Sequence, residues 1–291
     1  MDTRKLKPQC INCLLSKHLN SYHKLFTDAE KVTLMQGILK IIGNADVCDS
    51  APVIVEKINC YKESLGLISD FSKTKSEFNA YLLSLEEDIQ TKINNSSDSF
   101  KTALLYAIAG NYIDFGALDN VATKKLDEIL LDAQNISVNE NVFKNLRKEI
   151  LSAEKIAYIT DNCGEIVLDK LFVKQIINLN PTAEINVIVR GRDVLNDATL
   201  VDAEEVGLDK LVSVVGNGTA IAGTQLDRIS KESKNIIDNA DVIISKGQGN
   251  FETLCYCEKN IYYLFLCKCD MFAERFGVEK FTGMLLSEKT L

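Results

Sequence analysis

In the second half of the chain, acidic, amide and cationic residues stand directly behind short apolar runs. KIAYIT is followed by Asp161, Asn162, Cys163, Gly164 and Glu165, while EINVIVR ends on Arg190 and leads through Gly191 to Asn196 and Asp197. LVSVV is followed by Gly216, Asn217 and Gly218, DVIIS by Lys246, Gly247, Gln248, Gly249 and Asn250, and IYYLFL leads to Lys268 and Asp270. Two carboxylates and an amide from neighbouring positions form a hard, oxygen-only ligand set with room for water or substrate, which suits Mg²⁺ or Mn²⁺. Lysines beside such a cation suit phosphate: the metal polarises a phosphoryl oxygen, and Lys246 and Lys268 offset charge on the equatorial oxygens. A lone Asp behind a strand is an ordinary turn or cap residue. Several such clusters meeting at one place argue for a site.

They meet only if the runs are parallel strands of one sheet. From about Lys155 onward, β-branched runs alternate with helical segments, and the runs are apolar throughout rather than strictly alternating. That texture predicts parallel strands covered on both faces by crossover helices. In such a doubly wound sheet, ligands bind beyond the carboxyl ends of the strands. The first half reads differently. Leu34, Ile38, Ile41 and Ile42, and again Phe78, Leu82, Leu85 and Ile89, recur at helical spacing. Pro52 near a helix start, Gly66 past its end, and Ser97 or Asp98 before TALLYAIAG supply the matching termini. The expected organisation is a helical domain over residues 1–150 and an α/β domain over 151–291 that carries the site.

Composition narrows the partners. The 291 residues are 46% apolar and 25% charged, enough to build a large core, and carry a net charge of −8. An acidic chain is a poor partner for nucleic acid or an anionic membrane, whereas a small anion can still be held by local lysines. No stretch approaches the length needed to span a bilayer, and MDTRKLKPQC has no apolar signal core, so the expected location is the cytoplasm. The nine cysteines are then expected as free thiols. Cys10 and Cys13 lack the second pair of a structural zinc site, and Cys255, Cys257, Cys267 and Cys269 suit packing. His18 and His23, five apart, do not share a helix face.

DNCGEIVLDKL, RGRDVLNDATLVDA, GNYIDFG, SKGQGNFETL and the late Lys268-Cys269 resemble the metal-dependent damage-control phosphatases, and PQCINCLLSKH resembles the opening of that family's stand-alone microbial branch. The resemblance implies a helical domain packed on a Rossmann-like α/β domain and a divalent metal ion: Mg²⁺, Mn²⁺, Co²⁺ or Ni²⁺. It implies Asp161, Asn162 and Asp197 as ligands, with Asp161 also in the chemistry. It implies a substrate loop carried by Lys246, Gly249, Asn250 and Glu252, and a phosphate contact at Lys268. Glu165 and Arg190 join the substrate-binding candidates, as do Asn111 and Asp114 of GNYIDFG, which suits either a lid or a helix terminus. Phe265-Leu266 stands where another branch carries Arg-Thr. The implied substrates are small phosphorylated metabolites, including sugar phosphates and damaged cofactor precursors. The attacking group is a water or a carboxylate such as Asp161.

Two other classes compete. A carboxyl methyltransferase using S-adenosylmethionine fits a Rossmann-like sheet, but GNGTAI offers only Gly216 and Gly218 of the glycine pattern, with Ile221 in the third place. A non-catalytic metabolite-binding protein would keep the pocket without needing the paired carboxylates.

Overall fold

Strands that are apolar on both sides must be covered on both sides, and the chain does this with two sets of helices. The computed structural model describes residues 6–21, 27–46, 48–67, 70–113 and 123–291. The strands are β1 (Lys155–Ile159), β2 (Glu184–Val189), β3 (Ser213–Gly216), β4 (Val242–Lys246), β5 (Ile261–Leu266) and β6 (Gly283–Ser287). They form one sheet in the order β3-β2-β1-β4-β5-β6. The first five are parallel, and β6 runs antiparallel to β5. The five apolar runs are thus the five parallel strands, and β6 is an addition that the sequence pattern did not announce.

The second half also contains α8 (Glu165–Leu179), α9 (Leu200–Glu205), α10 (Lys231–Asn239), α11 (Gln248–Leu254) and α12 (Asp270–Phe276). The first half contains α1 (Pro8–Ser21), α2 (Asp28–Gly43), α3 (Ala51–Ser64), α4 (Ser72–Asn95), α5 (Ser99–Gly110), α6 (Thr123–Leu131) and α7 (Glu140–Ser152). Successive strand residues point to opposite faces. Tyr158, Val187, Ile244 and Leu264 pack with α5, α7 and α8, whereas Ala157, Ile188, Ile243 and Phe265 pack with α10, α11 and α12. Leu14, Leu34, Ile38, Ile54 and Ile58 make a separate core among α1, α2 and α3.

Helix α5 is the link between the halves. Every residue from Thr102 to Gly110 is buried, as expected for a helix apolar all round. It lies so close to α8 that a Cβ on Gly110 would stand 2.6 Å from Leu168 Cδ1. Asp98 caps its start by accepting the Lys101 N–H at 3.1 Å. At its other end the last turn tightens, with Asn111 N–H donating to Ile108 O. That leaves the Ala107 carbonyl available to a group from outside the helix. Pro52 lies in the first turn of α3 and Gly66, at φ +76°, follows its end. Among the described residues, no helix is long and apolar enough to cross a membrane.

Glu86 on α4 ties this half to α8, accepting from Lys170 at 2.7 Å and from Lys174 at 3.1 Å. Burial pushes the Glu86 carboxyl up, and the two ammonium groups more than reverse this, leaving it below its ordinary value of 4.5. A carboxyl depressed in the fold stabilises above its unfolded pKa, and that contribution is lost as pH falls. Glu86→Gln should therefore cost about 1 kcal/mol at pH 7. The difference from wild type in urea denaturation should close as pH is lowered below 4.5; an unchanged difference at low pH would show that the ion pairs are not its source.

Candidate active site

The chain order runs from β1 outward to β3 and then returns to the other side of β1 with β4, so the switch point lies between β1 and β4. Asp161 and Asn162 follow β1, and Lys246 ends β4. The segment after β1 does not turn away at once. Asn162 and Asp197 form an isolated antiparallel bridge, Ala198 N–H donates to Asp161 O at 2.7 Å, and Cys163 N–H donates to Asn196 O at 2.8 Å. This backbone pairing brings Asp161, Asn162 and Asp197 together from two strand ends.

Arg190, the residue after β2, is 1% exposed and joins the two acids: Nε donates to Asp197 Oδ2 at 2.6 Å and one terminal nitrogen reaches Asp161 Oδ1 at 3.4 Å. Its other terminal nitrogen donates to Asn250 Oδ1 at 3.1 Å. Behind them sits Glu165, fully buried on the first turn of α8. Its oxygens accept from Asn111 Nδ2 at 3.1 and 3.0 Å, from Asn162 Nδ2 at 2.8 Å and from Lys246 Nζ at 2.5 Å. Both amides also donate to Asp161 Oδ2, Asn162 at 2.8 Å and Asn111 at 3.0 Å.

Lys246 differs from expectation. The sequence places it facing phosphoryl oxygens, but its Nζ is enclosed and donates to Glu165, to Asp169 Oδ1 at 2.6 Å and to the Ala107 carbonyl at 2.8 Å. An ammonium has three protons, and these three acceptors take them. Burial lowers the lysine's pKa, but Asp169 and Glu165 more than compensate and hold it above its ordinary value. Burial also pushes the Asp169 carboxyl up to about 7, against the pull of Lys246 and with the push of Glu165. Asp169 Oδ1 also accepts from the Tyr158 hydroxyl at 2.7 Å.

Other substrate-loop candidates also have internal partners. Asn250 Nδ2 donates to the Thr160 and Lys246 carbonyls, and its Oδ1 accepts from Arg190 and from Thr224. Gly249 packs on the Ala222 carbonyl, and Glu252 accepts from Gln248. Lys268 is buried just past β5, its N–H directed at Gln248 Oε1 at 3.4 Å. Asn111 belongs to the cluster, whereas Asp114 lies outside the described residues.

The residues present fit a hard divalent cation. The donors are two carboxylates and one amide, and Asp161, Asp197, Glu165 and Asp169 outnumber the cations they pair with, Arg190 and Lys246. No group of three His, Cys, Asp or Glu side chains able to hold a metal occurs among the described residues.

A sequence model of the damage-control phosphatase ARMT1-like domain matches residues 6–283. The chain belongs to that family. A damage-control phosphatase of Archaeoglobus fulgidus is 31% identical over 287 residues, spanning 94% of this chain and 96% of its own. One from Pyrococcus horikoshii is 36% identical over 184 residues, 62% of each chain. The crystal structure of a DUF89 family protein from Pyrococcus horikoshii superposes with a TM-score of 0.83 at 27% identity, covering 98% of this chain and 99% of that one. The helical domain on a Rossmann-like sheet is therefore the architecture of this damage-control phosphatase family member.

Sequence reasoning did not single out Asp169, Tyr158, Thr224 or Gly247. Asp169 had a signal: it lies four residues after Glu165, on the same face of an otherwise apolar helix. Gly247 stands at φ +83° and ψ 154°, and a Cβ there would lie 2.0 Å from Asp161 Oδ2. Side chains other than hydrogen are strained in that conformation and would displace the carboxylate. Gly247→Ala should keep the helical and sheet signal in circular dichroism while lowering kcat/KM for a phosphate ester by about 100-fold; near-wild-type turnover would mean that Asp161 need not stay where it is.

Proposed function

We propose that this chain is a divalent-metal-dependent phosphomonoester hydrolase acting on small phosphorylated metabolites, with Asp161, Asn162 and Asp197 as the metal ligands. The observation that carries the reading is the buried excess of carboxylates at the switch point, gathered by the pairing of Asn162 with Asp197. The family supports a phosphatase role in metabolite damage control, as do the two archaeal relatives named damage-control phosphatases.

A bound Mg²⁺, Mn²⁺, Co²⁺ or Ni²⁺ ion would supply the charge that polarises the phosphoryl group. The chain's own groups do the rest. Arg190 keeps the Asp161 and Asp197 carboxylates from repelling one another and fixes their separation. The Asn111 and Asn162 amides hold Asp161 Oδ2, so that the carboxylate keeps one orientation through turnover. Lys268, at the end of β5, is the cation assigned to the substrate phosphate.

The methyltransferase reading gains nothing from the glycines of GNGTAI. A Cβ on Gly191 would lie 2.0 Å from Gly218 N, so the backbones beyond β2 and β3 pack directly on each other, and Gly218 at φ +80° serves a turn. The test is a panel of phosphate esters assayed for phosphate release with each of the four metals, before and after chelation, in parallel with calorimetric titration of S-adenosylmethionine. Release that needs the cation, disappears on chelation and falls by more than 100-fold in Asp161→Asn and Asp197→Asn is expected. Full activity in demonstrably metal-free protein would overturn the metal assignment. Micromolar S-adenosylmethionine binding with methylation of a carboxyl acceptor, and no phosphate release, would replace the phosphatase by a methyltransferase.

A further inference from the structure

We propose that Lys246 is a positioning residue that orients the metal-site pair Asp161 and Asn162 through Glu165, and that it does not contact the substrate's phosphate. The inference rests on the metal site proposed above and assigns a task to the lysine that the sequence had given to phosphate.

The chain of contacts is short and enclosed. Lys246, Glu165 and Asp169 are each 0% exposed. The three protons of the ammonium go to Glu165 Oε1, Asp169 Oδ1 and the Ala107 carbonyl, so a phosphoryl oxygen would have to displace one of them. The Ala107 carbonyl lies at the carboxyl end of α5, where the helix dipole favours a cation. From there the influence passes outward. Glu165, held by Lys246, accepts from the amide nitrogens of both Asn111 and Asn162, and those same nitrogens donate to Asp161 Oδ2.

The amide orientations are set independently at Asn111, whose Oδ1 accepts the Leu266 backbone N–H at 3.0 Å. Its nitrogen must then face Glu165 and Asp161. At Asn162 the nitrogen lies between the same two carboxylates, which directs its oxygen, the atom that a hard cation needs, away from them. Removing the Lys246 ammonium would leave Glu165 facing Asp169 with no positive charge between them. Glu165 would then move, and the two amides and Asp161 would lose their common anchor. Outer partners of this kind set the geometry of metal ligands, and their loss typically weakens metal binding 10- to 100-fold.

The test uses the full-length protein with Lys246→Met and, as an isosteric second variant should the first fail to fold, Glu165→Gln. Mn²⁺ binding is measured by electron paramagnetic resonance without any phosphate compound, and kcat, KM and inhibition by inorganic phosphate are measured with a simple aryl phosphate at Mn²⁺ concentrations that saturate each variant. Exchange of the Asn side-chain NH₂ protons is followed by NMR in metal-free protein. The expected result is Mn²⁺ affinity about 10- to 100-fold weaker in either variant, lower kcat, KM and phosphate inhibition within about twofold of wild type, and faster exchange of the Asn111 and Asn162 amides. The double variant should be no worse than the single ones, because both substitutions cut the same link. Wild-type Mn²⁺ affinity and slow amide exchange, with KM and the phosphate inhibition constant raised tenfold or more, would overturn the proposal and return Lys246 to the phosphate. If the wild-type protein bound no Mn²⁺ and hydrolysed no ester, the proposed function would fall; amide exchange would still decide whether Lys246 holds the pair.

Discussion

Four carboxylates buried against two cations are the constraint on which the rest of this structure turns. Asp161 and Asp197 share Arg190, and Glu165 and Asp169 share Lys246, all at positions with little or no exposure. Taking charges out of water is expensive unless each is paired and hydrogen-bonded, which accounts for the density of amide and hydroxyl donors around them. Even so, the pairing does not balance. With all four acids ionised these six groups sum to two negative charges, and burial, which raises the Asp169 carboxyl, works against that state. On the proposed reading a divalent cation would complement these acids, because one ion would cancel the excess at the hard oxygen donors.

The cluster also explains why the helical half cannot be regarded as a separate accessory. Ala107 and Asn111 come from the end of α5, and one takes a Lys246 proton while the other holds Asp161 and Glu165. On α4, Asn79 accepts the Gly164 N–H at 2.6 Å at the start of α8 and donates to Asp202 and Glu205 around α9. Lys75, also on α4, pairs with Asp202 at 2.8 Å. These polar contacts join the loops behind β1 and β2 to the helices above them, so the strand-end residues are braced from both halves. Rigid elements on two sides hold a site more closely than loops alone.

How much of this could be read from the sequence follows from the range of each signal. The parallel strands were legible because burial on both faces leaves local apolar runs, and helix ends such as Asp98 and Pro52 were legible because caps act within one turn. Strand β6 was not, since GMLLS has neither a β-branched nor an aromatic residue. For the site, position was legible but direction was not. Lys246 stands at a strand end as expected, yet its partner Ala107 lies 139 residues earlier in the chain, and nothing local announces that a helix carbonyl will be waiting there. Asn250 and Arg190 show the same limit. Each lies in a segment with the composition of a ligand-binding loop, and each has its polar atoms engaged by other protein groups.

That engagement changes how anion recognition must work. Lys246 and Arg190 hold carboxylates, and on the proposed reading they are not spare positive charge for a phosphate. A dianion approaching Asp161 and Asp197 meets like charge across a poorly solvated space, where repulsion is felt more strongly than in water. Under the proposed function, phosphate affinity would depend on prior neutralisation of the carboxylate excess, and cation and phosphate would be thermodynamically linked, each raising the affinity for the other by the same factor. In a chain whose overall charge is −8, selectivity for phosphate esters would then, on that proposal, be a property of the filled site, with Arg190 and Lys246 fixing the acids and leaving their excess charge to be met from outside.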